Sequence, residues 1–161
     1  MTRVGIGLDF HRLKKGERLI LGGVEYDHVS GTVAHSDGDV LVHAICDAIL
    51  GAAALGDIGS HFPDDDPAYE GISSIKLLEE VLEKVGSRGY KLDNVDSTLI
   101  IQKPKLGEGR EEMVEKLGEV IEAPVNVKAT TTEQLGFIGR EEGIGAQAVA
   151  TLSRRNENID V

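Results

Sequence analysis

Residues 34–57 constrain the fold of this chain most strongly, because a helix-start pattern is followed there by a long run of helix-forming residues. Ser36 is a typical helix cap, and Asp37 and Asp39 would lie in the first turn, where the helix dipole favours negative charge. Sequence rich in Ala, Leu and Ile then continues to Leu55. The pattern predicts a helix that starts after Ser36 and runs to about Leu55.

One face of this predicted helix carries titratable side chains. Asp39, His43 and Asp47 are spaced four residues apart, so they would stack on the same side. Such a face is a poor part of a core. It is typical either of a solvated face that happens to contain a histidine or of a functional site, and the spacing by itself leaves both interpretations open.

The N-terminal segment supplies partners for that histidine. Residues 3–11 are predicted to form the first strand, on which Asp9 and His11, two residues apart, point the same way. Together with a third ligand from a helix, they would form a mixed set of oxygen and nitrogen donors. Catalytic zinc sites commonly use three protein ligands and keep a fourth position open. A polar strand end is the alternative interpretation of this pair.

Composition limits the class of protein and of partner. The 161 residues suit a single domain, and 40% of them are hydrophobic, which is enough for a folded core. A formal net charge of -11 argues against nucleic acid or an anionic membrane as partner. It would also repel a phosphorylated substrate, unless bound divalent cations reverse the local charge.

The remaining composition signals favour a soluble, cytoplasmic protein. Cys46 is the one cysteine, so neither a disulfide framework nor a cysteine-based zinc site can form within the chain. We expect Cys46 to be a buried, small apolar residue. No secretory signal is recognised, and no apolar run approaches membrane-spanning length.

Strand and helix patterns alternate along the rest of the chain. A hairpin is predicted at 19–26, and loops are predicted at 27–32 and, from its Gly, Pro and Asp content, at 56–67. Helical periodicity is found at 73–85 and 110–121, and strand patterns at 90–102, 125–131 and 141–152. Residues 154–161 are predicted to be a flexible polar tail. This order predicts one α/β or α+β domain.

Two further features are compatible with a bound phosphate. Thr131 and Gln134 have capping-box spacing, and a helix that starts there would favour an anion. Lys103 and Lys105 lie at a predicted strand end. An ordinary capped turn and lysines that maintain solubility are the respective alternatives.

Five motifs carry a family resemblance that covers nearly the whole chain: residues 7–11, 34–39, 50–59, 62–64 and 127–133. The chain resembles the 2-C-methyl-D-erythritol 2,4-cyclodiphosphate synthases of the non-mevalonate isoprenoid pathway. The resemblance implies an α+β (α/β sandwich) fold with a mixed sheet and helices on one face. It also implies a homotrimer with the sheets around its axis and a site shared between two subunits.

The resemblance further implies a phosphorus–oxygen lyase. The enzyme would convert 4-diphosphocytidyl-2-C-methyl-D-erythritol 2-phosphate into the 2,4-cyclodiphosphate and CMP by intramolecular phosphoryl transfer. Asp9, His11 and His43 would hold one Zn²⁺ per subunit, and Glu133 would hold Mg²⁺ or Mn²⁺. Asp39 or Asp47 would orient His43.

Other roles are also implied by the resemblance. The catalytic residues would be His35, Thr131 and Glu133. Phe137 and Arg140 resemble residues that line a central trimer cavity, where an isoprenoid diphosphate could bind. The residues implied to contact substrate or cavity ligands are Asp9, His11, His35, Ser36, Asp57, Gly59, Phe62, Asp64, Asp66, Ile101, Pro104, Lys105, Leu106, Ala129, Thr130, Thr131, Thr132, Phe137 and Arg140. Residues 107–109 depart from the family pattern and leave later cytidine contacts open.

Two other classes of function remain as alternatives. A zinc-dependent phosphohydrolase would use metal-bound water and incorporate solvent oxygen into its product. A non-catalytic module that binds a metal or an isoprenoid diphosphate would need neither the loop around Asp64 nor the segment around Lys105.

Overall fold

The computed structural model describes residues 1–63 and 65–155. Its strands are β1 (Thr2–Lys15), β2 (Leu19–Leu21), β3 (Val24–Tyr26), β4 (Ser30–Thr32), β5 (Tyr90–Ile100), β6 (Val125–Thr130) and β7 (Gly143–Arg154). Its helices are α1 (Val40–Ala53), α2 (Ile58–His61), α3 (Ser74–Ser87), α4 (Gly109–Ile121) and α5 (Gly136–Gly139), with a 3₁₀ turn at Pro67–Tyr69. The predicted hairpin, helices and strands are therefore present, with shifted ends.

Five strands form one mixed sheet in the order β4-β1-β7-β5-β6. All neighbours are antiparallel except β5 and β6, which are parallel. The longest pairing joins β1 to β7, from Thr2 opposite Ser153 to Arg12 opposite Gly143. Strands β2 and β3 form a separate hairpin. The predicted mixed sheet is confirmed.

Helices α1, α3 and α4 pack on one face of the sheet. Helix α1 comes very close to β1. A Cβ on Gly5 would clash with the carbonyl oxygen of Ala48, and a Cβ on Gly7 would clash with that of Ala44. Small residues therefore set the distance between α1 and β1. On the opposite face, β1 carries a row of apolar residues. The exposed fraction of each lies between 50% and 66%: Val4, Ile6, Leu8 and Phe10.

The start of α1 differs from the prediction. Asp39, rather than Ser36, caps the helix, and its Oδ1 accepts the N–H of Val42 at 3.1 Å. The Asp39 carboxylate also accepts the N–H groups of Gly22 (2.9 Å) and Gly23 (2.7 Å) in the β2–β3 hairpin. A fully buried carboxylate needs such partners. Its contacts with the hairpin therefore place the helix start at Val40.

Other boundaries also differ from the predictions. The predicted helix start at Thr131 is wrong, because Glu133 and Gln134 have left-handed backbone angles (φ 52° and 66°) and α5 begins only at Gly136. The predicted loops contain the short elements β4 and α2 and the 3₁₀ turn. Arg154 belongs to β7 rather than to a tail, and residues 156–161 of the predicted tail lie outside the described residues.

Two expectations from composition can be compared with the structure. Cys46 is fully buried within α1, as predicted. No helix in the described part of the chain combines the length and the apolar character needed to cross a membrane.

Candidate metal centre and neighbouring cavities

Three predicted ligands meet where α1 crosses β1. Asp9 and His11 lie on the helix-facing side of β1, and His43 lies on the first turn of α1. The distances Asp9 Oδ2–His11 Nε2, Asp9 Oδ2–His43 Nδ1 and His11 Nε2–His43 Nδ1 are all 3.1 Å. Tetrahedral zinc with bonds of about 2.0–2.1 Å has ligand atoms roughly 3.3 Å apart. The three donors thus match one face of such a site and leave its fourth position open.

The electrostatics of the triad fit a bound cation. Burial opposes ionisation of Asp9, but hydrogen bonds with His11 and His43 hold the pKa of its carboxyl well below the usual range. Burial likewise opposes charge on His43, and the hydrogen bond and charge of Asp9 outweigh it, so the pKa of His43 is raised. Asp9 therefore favours positive charge beside it, and a divalent ion with Asp/His/His ligands would supply that charge.

The other nitrogen of His43 contacts two serines. His43 Nε2 lies 2.9 Å from Ser74 Oγ and 3.2 Å from Ser36 Oγ. The prediction that Asp39 or Asp47 orients His43 is wrong: Asp39 binds the hairpin, and Asp47 accepts the N–H of Ile58 at 2.7 Å. Residues spaced four apart on one helix share a face, but their side chains here extend to different neighbours.

A cavity of about 290 Å³ opens beside the triad. It is lined by the predicted site residues Asp9, His11, His35, Ser36, His43, Gly59 and Phe62. Sequence analysis missed Tyr69 and Ile72, which also line it together with Val33, Ala34, Ile58 and Leu77. The sequence alone contains no chemical signal for them, because apolar and aromatic residues are common in any core.

The acidic residues predicted beside this cavity stabilise local structure. The Asp57 carboxylate accepts the hydroxyl hydrogen of Ser60 at 2.6 Å and caps α2 through the N–H of Ser60 at 2.8 Å. These two hydrogen bonds lower the pKa of Asp57. Asp66 caps the 3₁₀ turn through the N–H of Ala68, and its carbonyl oxygen lies 3.3 Å from His35 Nε2. Asp64 lies outside the described residues.

A larger cavity of about 980 Å³ lies at the ends of β5 and β6. It collects the predicted residues Ile101, Pro104, Lys105, Leu106, Ala129, Thr130, Thr131 and Glu133. Lys103, which the sequence marks beside Lys105 as compatible with a phosphate, also lines it, as do His28 and Arg110, which were not predicted. Apolar side chains beside Lys and Arg suit a flat ring that carries phosphate groups. Thr132 does not line the cavity, and its hydroxyl donates to the carbonyl of Leu135 at 2.7 Å.

Phe137 and Arg140 lie apart from both cavities. Phe137 packs edge-to-face on Phe10, with 6.1 Å between ring centres, at the bare face of the sheet. The exposed guanidinium of Arg140 pairs with Glu142 through bonds of 3.0 and 3.1 Å. A cavity of about 250 Å³ lies beside Phe10 and Phe137.

Comparison with known proteins identifies the family. The model of the YgbB family matches residues 2–153. The chain belongs to the YgbB family. A relative in Agathobacter rectalis, named 2-C-methyl-D-erythritol 2,4-cyclodiphosphate synthase, is 56% identical over 154 residues, which are 94% of this chain and 87% of the relative. The resemblance seen in the sequence motifs is thus confirmed.

Solved structures agree with the YgbB assignment. The bifunctional IspDF of Campylobacter jejuni superimposes with a TM-score of 0.91 and 41% identity over 96% of this chain, which spans 42% of that longer protein. A CDP-bound 2C-methyl-D-erythritol-2,4-cyclodiphosphate synthase superimposes with a TM-score of 0.86 and 38% identity. It covers 94% of this chain, and the match includes 100% of that chain.

Among the described residues of this YgbB-family chain, none lines both cavities. The Asp9, His11 and His43 triad lines the smaller cavity, whereas Glu133 and Lys105 line the larger one. A substrate that needs both groups must therefore reach across more than one cavity.

Proposed function

We propose that this chain converts 4-diphosphocytidyl-2-C-methyl-D-erythritol 2-phosphate into 2-C-methyl-D-erythritol 2,4-cyclodiphosphate and CMP. The observation that carries the proposal is the Asp9, His11 and His43 triad, whose open side faces a cavity in a chain of the YgbB family. Relatives that share more than half of its residues carry the name of this synthase.

The reaction is an intramolecular phosphoryl transfer. An oxygen of the 2-phosphate forms a bond to the β-phosphorus, and the bond from that phosphorus to the bridging oxygen breaks, so that CMP leaves. Both reacting groups are anionic, so positioning and charge neutralisation supply most of the catalysis. No protein nucleophile is required. Asp9, His11 and His43 would hold a divalent cation, which we infer to be Zn²⁺ from the donor set, and it would supply positive charge that offsets the phosphate charge.

The chain's own residues bind and orient the two ends of the substrate. The cavity beside His35, Ser36 and Gly59 would hold the methylerythritol 2-phosphate, and Asp57 and Asp64 belong to the same segment. The larger cavity would hold the cytidine between Pro104 and Leu106, with Lys105, Thr130 and Thr131 near the phosphates. The CDP-bound structure that resembles this chain supports a cytidine ligand.

We propose that Glu133 would hold a second cation, Mg²⁺ or Mn²⁺, which would supply further positive charge to the phosphates. Its Oε1 accepts the hydroxyl hydrogen of Thr131 at 3.0 Å, so Thr131 fixes the carboxylate at the cavity wall. Hard cations prefer carboxylate and phosphate oxygens. Glu133→Gln should keep zinc but lower turnover, with partial recovery at high Mg²⁺. Wild-type turnover with unchanged Mg²⁺ dependence would remove Glu133 from this role.

A homotrimer is proposed from the bare face of the sheet. Val4, Ile6, Leu8 and Phe10 form an exposed apolar row, and a second copy of the chain could cover it. Such packing would bring neighbouring copies of the Phe10 and Phe137 cluster together around the axis. Arg140 is close in sequence to that cluster, and an isoprenoid diphosphate is the ligand we propose for the central space.

Phosphorus NMR tests the reaction. Purified protein with the diphosphocytidyl substrate, Zn²⁺ and Mg²⁺ should yield the cyclic diphosphate and CMP. In water enriched with heavy oxygen, the cyclic product should contain no solvent oxygen. Incorporated solvent oxygen in a linear product would instead indicate a phosphohydrolase, and ligand binding without turnover would indicate a binding module.

A further inference from the structure

Ser74 links the candidate metal ligand His43 to the half-buried carboxylate of Asp37. It is the first residue of α3 and is fully buried. Its hydroxyl oxygen lies 2.9 Å from His43 Nε2 and also bonds to Asp37 Oδ1. The backbone N–H of Ser74 donates to Asp37 Oδ2 at 2.9 Å. A three-member chain, His43–Ser74–Asp37, thus connects the metal site to the start of α3.

The positions of the hydrogens in this chain follow from the chemistry of its members. An ionised carboxylate only accepts, so the single hydroxyl hydrogen of Ser74 goes to Asp37. Ser74 Oγ can then only accept from His43, which means that the hydrogen of the neutral imidazole lies on Nε2. When the ring is neutral, as a metal ligand must be, its lone pair therefore lies on Nδ1, the atom that faces Asp9 and His11 at 3.1 Å. A lone pair directed at a carboxylate needs a cation between them.

We propose that Ser74 and Asp37 are positioning residues that hold His43 in the Nε2–H tautomer and so present Nδ1 to the divalent cation. The inference rests on the metal centre proposed above. Asp37 is itself anchored from several directions, because its Oδ1 accepts the N–H of Asp39 at 3.2 Å and its own N–H donates to the carbonyl of Ile72 at 3.0 Å. Histidine ligands of metals generally donate their second ring N–H to such an anchored partner.

Ser36 is the competing partner of His43, and it is the weaker one. Its hydroxyl oxygen lies farther from Nε2, at 3.2 Å, and already accepts the N–H of Gly38 at 3.2 Å. No carboxylate bonds to Ser36 Oγ among the described residues, so its hydroxyl hydrogen remains free to point toward either neighbour. Ser74 alone has its hydrogen committed to a carboxylate, and it therefore determines the tautomer.

The test measures zinc affinity rather than turnover. Metal-free wild-type protein and the variants Ser74→Ala, Ser74→Thr, Asp37→Asn and Ser36→Ala are titrated with Zn²⁺ against a chromogenic chelator. Ser73→Ala is the matched control, because Ser73 is the preceding serine and makes no side-chain capping bond. Loss of the residue that hydrogen-bonds to the second ring nitrogen of a histidine ligand weakens metal binding by about 10–100-fold. We therefore expect Ser74→Ala to lower zinc affinity at least about tenfold.

Further outcomes are specific to positioning. Ser74→Thr should restore most of the affinity, Asp37→Asn should lower it, and Ser73→Ala and Ser36→Ala should change it less than Ser74→Ala. In histidine-labelled, zinc-loaded wild-type protein, the nitrogen NMR spectrum should show a protonated Nε2 on His43 whose hydrogen exchanges slowly. Ser74→Ala should lose that slow exchange.

Two results would overturn the inference, and they differ from failure of the metal centre itself. Wild-type protein that binds no Zn²⁺ would refute the proposed metal site. Zinc binding by wild type with unchanged affinity in folded Ser74→Ala, or a His43 Nε2 hydrogen that exchanges rapidly with solvent in the metal-loaded wild type, would refute the positioning role alone. The hydrogen-exchange measurement on wild type decides the question even if Ser74→Ala does not fold.

Discussion

At the scale of single residues, His43 shows how one side chain can join two parts of a site. Its Nδ1 completes the triad with Asp9 and His11, while its Nε2 faces Ser74 and Ser36. The ring is almost fully buried, so neither nitrogen can be satisfied freely by bulk water. Its geometry is therefore determined by contacts on both sides.

His43→Ala should remove most of the bound zinc while the fold persists. Loss of a residue that hydrogen-bonds to a metal ligand weakens metal binding by ~10–100-fold, and removal of the ligand itself should weaken zinc binding by more. Metal analysis after dialysis, with circular dichroism for the fold, checks this. His61→Ala is the control, since His61 contacts the carbonyl of Leu55 and no ligand of the triad. Full zinc occupancy in His43→Ala would exclude His43 from the site.

The raised pKa of Asp47 predicts a pH-dependent contribution to the free energy of unfolding. Burial is the main cause that raises the pKa of its half-buried carboxyl, which accepts the N–H of Ile58. The folded state then binds the proton more tightly than the unfolded state. This contribution is fully present below the unfolded pKa, about 3.9, and is lost as pH rises through the higher folded pKa.

Asp47→Asn removes this titration and keeps an oxygen that can accept the same N–H. The free energy of unfolding of wild type minus that of Asp47→Asn should therefore fall as pH rises from about 4 to about 7. Urea denaturation at several pH values, with a chelator to remove metal from both proteins, measures the difference. A difference that is constant with pH would contradict the role of burial.

At the scale of elements, the contact between α1 and β1 positions the metal ligands. Gly7 lies two residues before Asp9 on β1, and Ala44 follows His43 on α1. The backbones are so close there that a Cβ on Gly7 would clash with the carbonyl oxygen of Ala44. The separation between Asp9 and His11 on β1 and His43 on α1 thus depends on the absence of a side chain at Gly7.

Gly7→Ala should therefore destabilise the fold and weaken zinc binding together. Overpacking typically costs about 1–3 kcal/mol, and α1 must move away from Asp9 to relieve the clash. Gly51→Ala is the control on the same interface, because its nearest contact would be the Ile6 oxygen at 3.8 Å. There Ala should stabilise the helix by about 0.5–1 kcal/mol. Denaturation and zinc titration of both variants measure these effects, and unchanged stability in Gly7→Ala would contradict the tight contact.

At the scale of the whole molecule, the separate cavities and the bare sheet face both fit a site that is shared between subunits. The triad and Lys105 line different cavities of the described chain, and an apolar row on β1 is left uncovered. A cyclic trimer has heterologous contacts, so each subunit could offer one half-site to each neighbour. The proposed site would then be complete only between subunits.

Mixing of two inactive variants tests this arrangement. His43→Ala disables the metal half and Lys105→Glu the cytidine half, and co-refolding of equal amounts should restore roughly a quarter of the sites. A mixture of His43→Ala with His11→Ala is the control and should stay inactive, since both changes affect the same half. If native mass spectrometry shows mixed trimers without recovered activity, the site must lie within one chain.

Sequence alone determined the parts of this protein that depend on neighbours along the chain. Alternation on β1 puts Asp9 and His11 on one side, and helical periodicity outlines α3 and α4, because backbone geometry repeats every two or 3.6 residues. The long motifs, such as 50–59 and 127–133, also pointed to the family before any contact was known. These signals are local, and so they can be read without the fold.

Only the tertiary structure decided the features that depend on distant partners. The start of α1 follows from bonds between Asp39 and glycines 16 and 17 residues away. The partner of His43 is Ser74, 31 residues away, rather than its own helix neighbours. A buried polar group takes whichever partner the packing brings near, and no spacing along the chain specifies that partner.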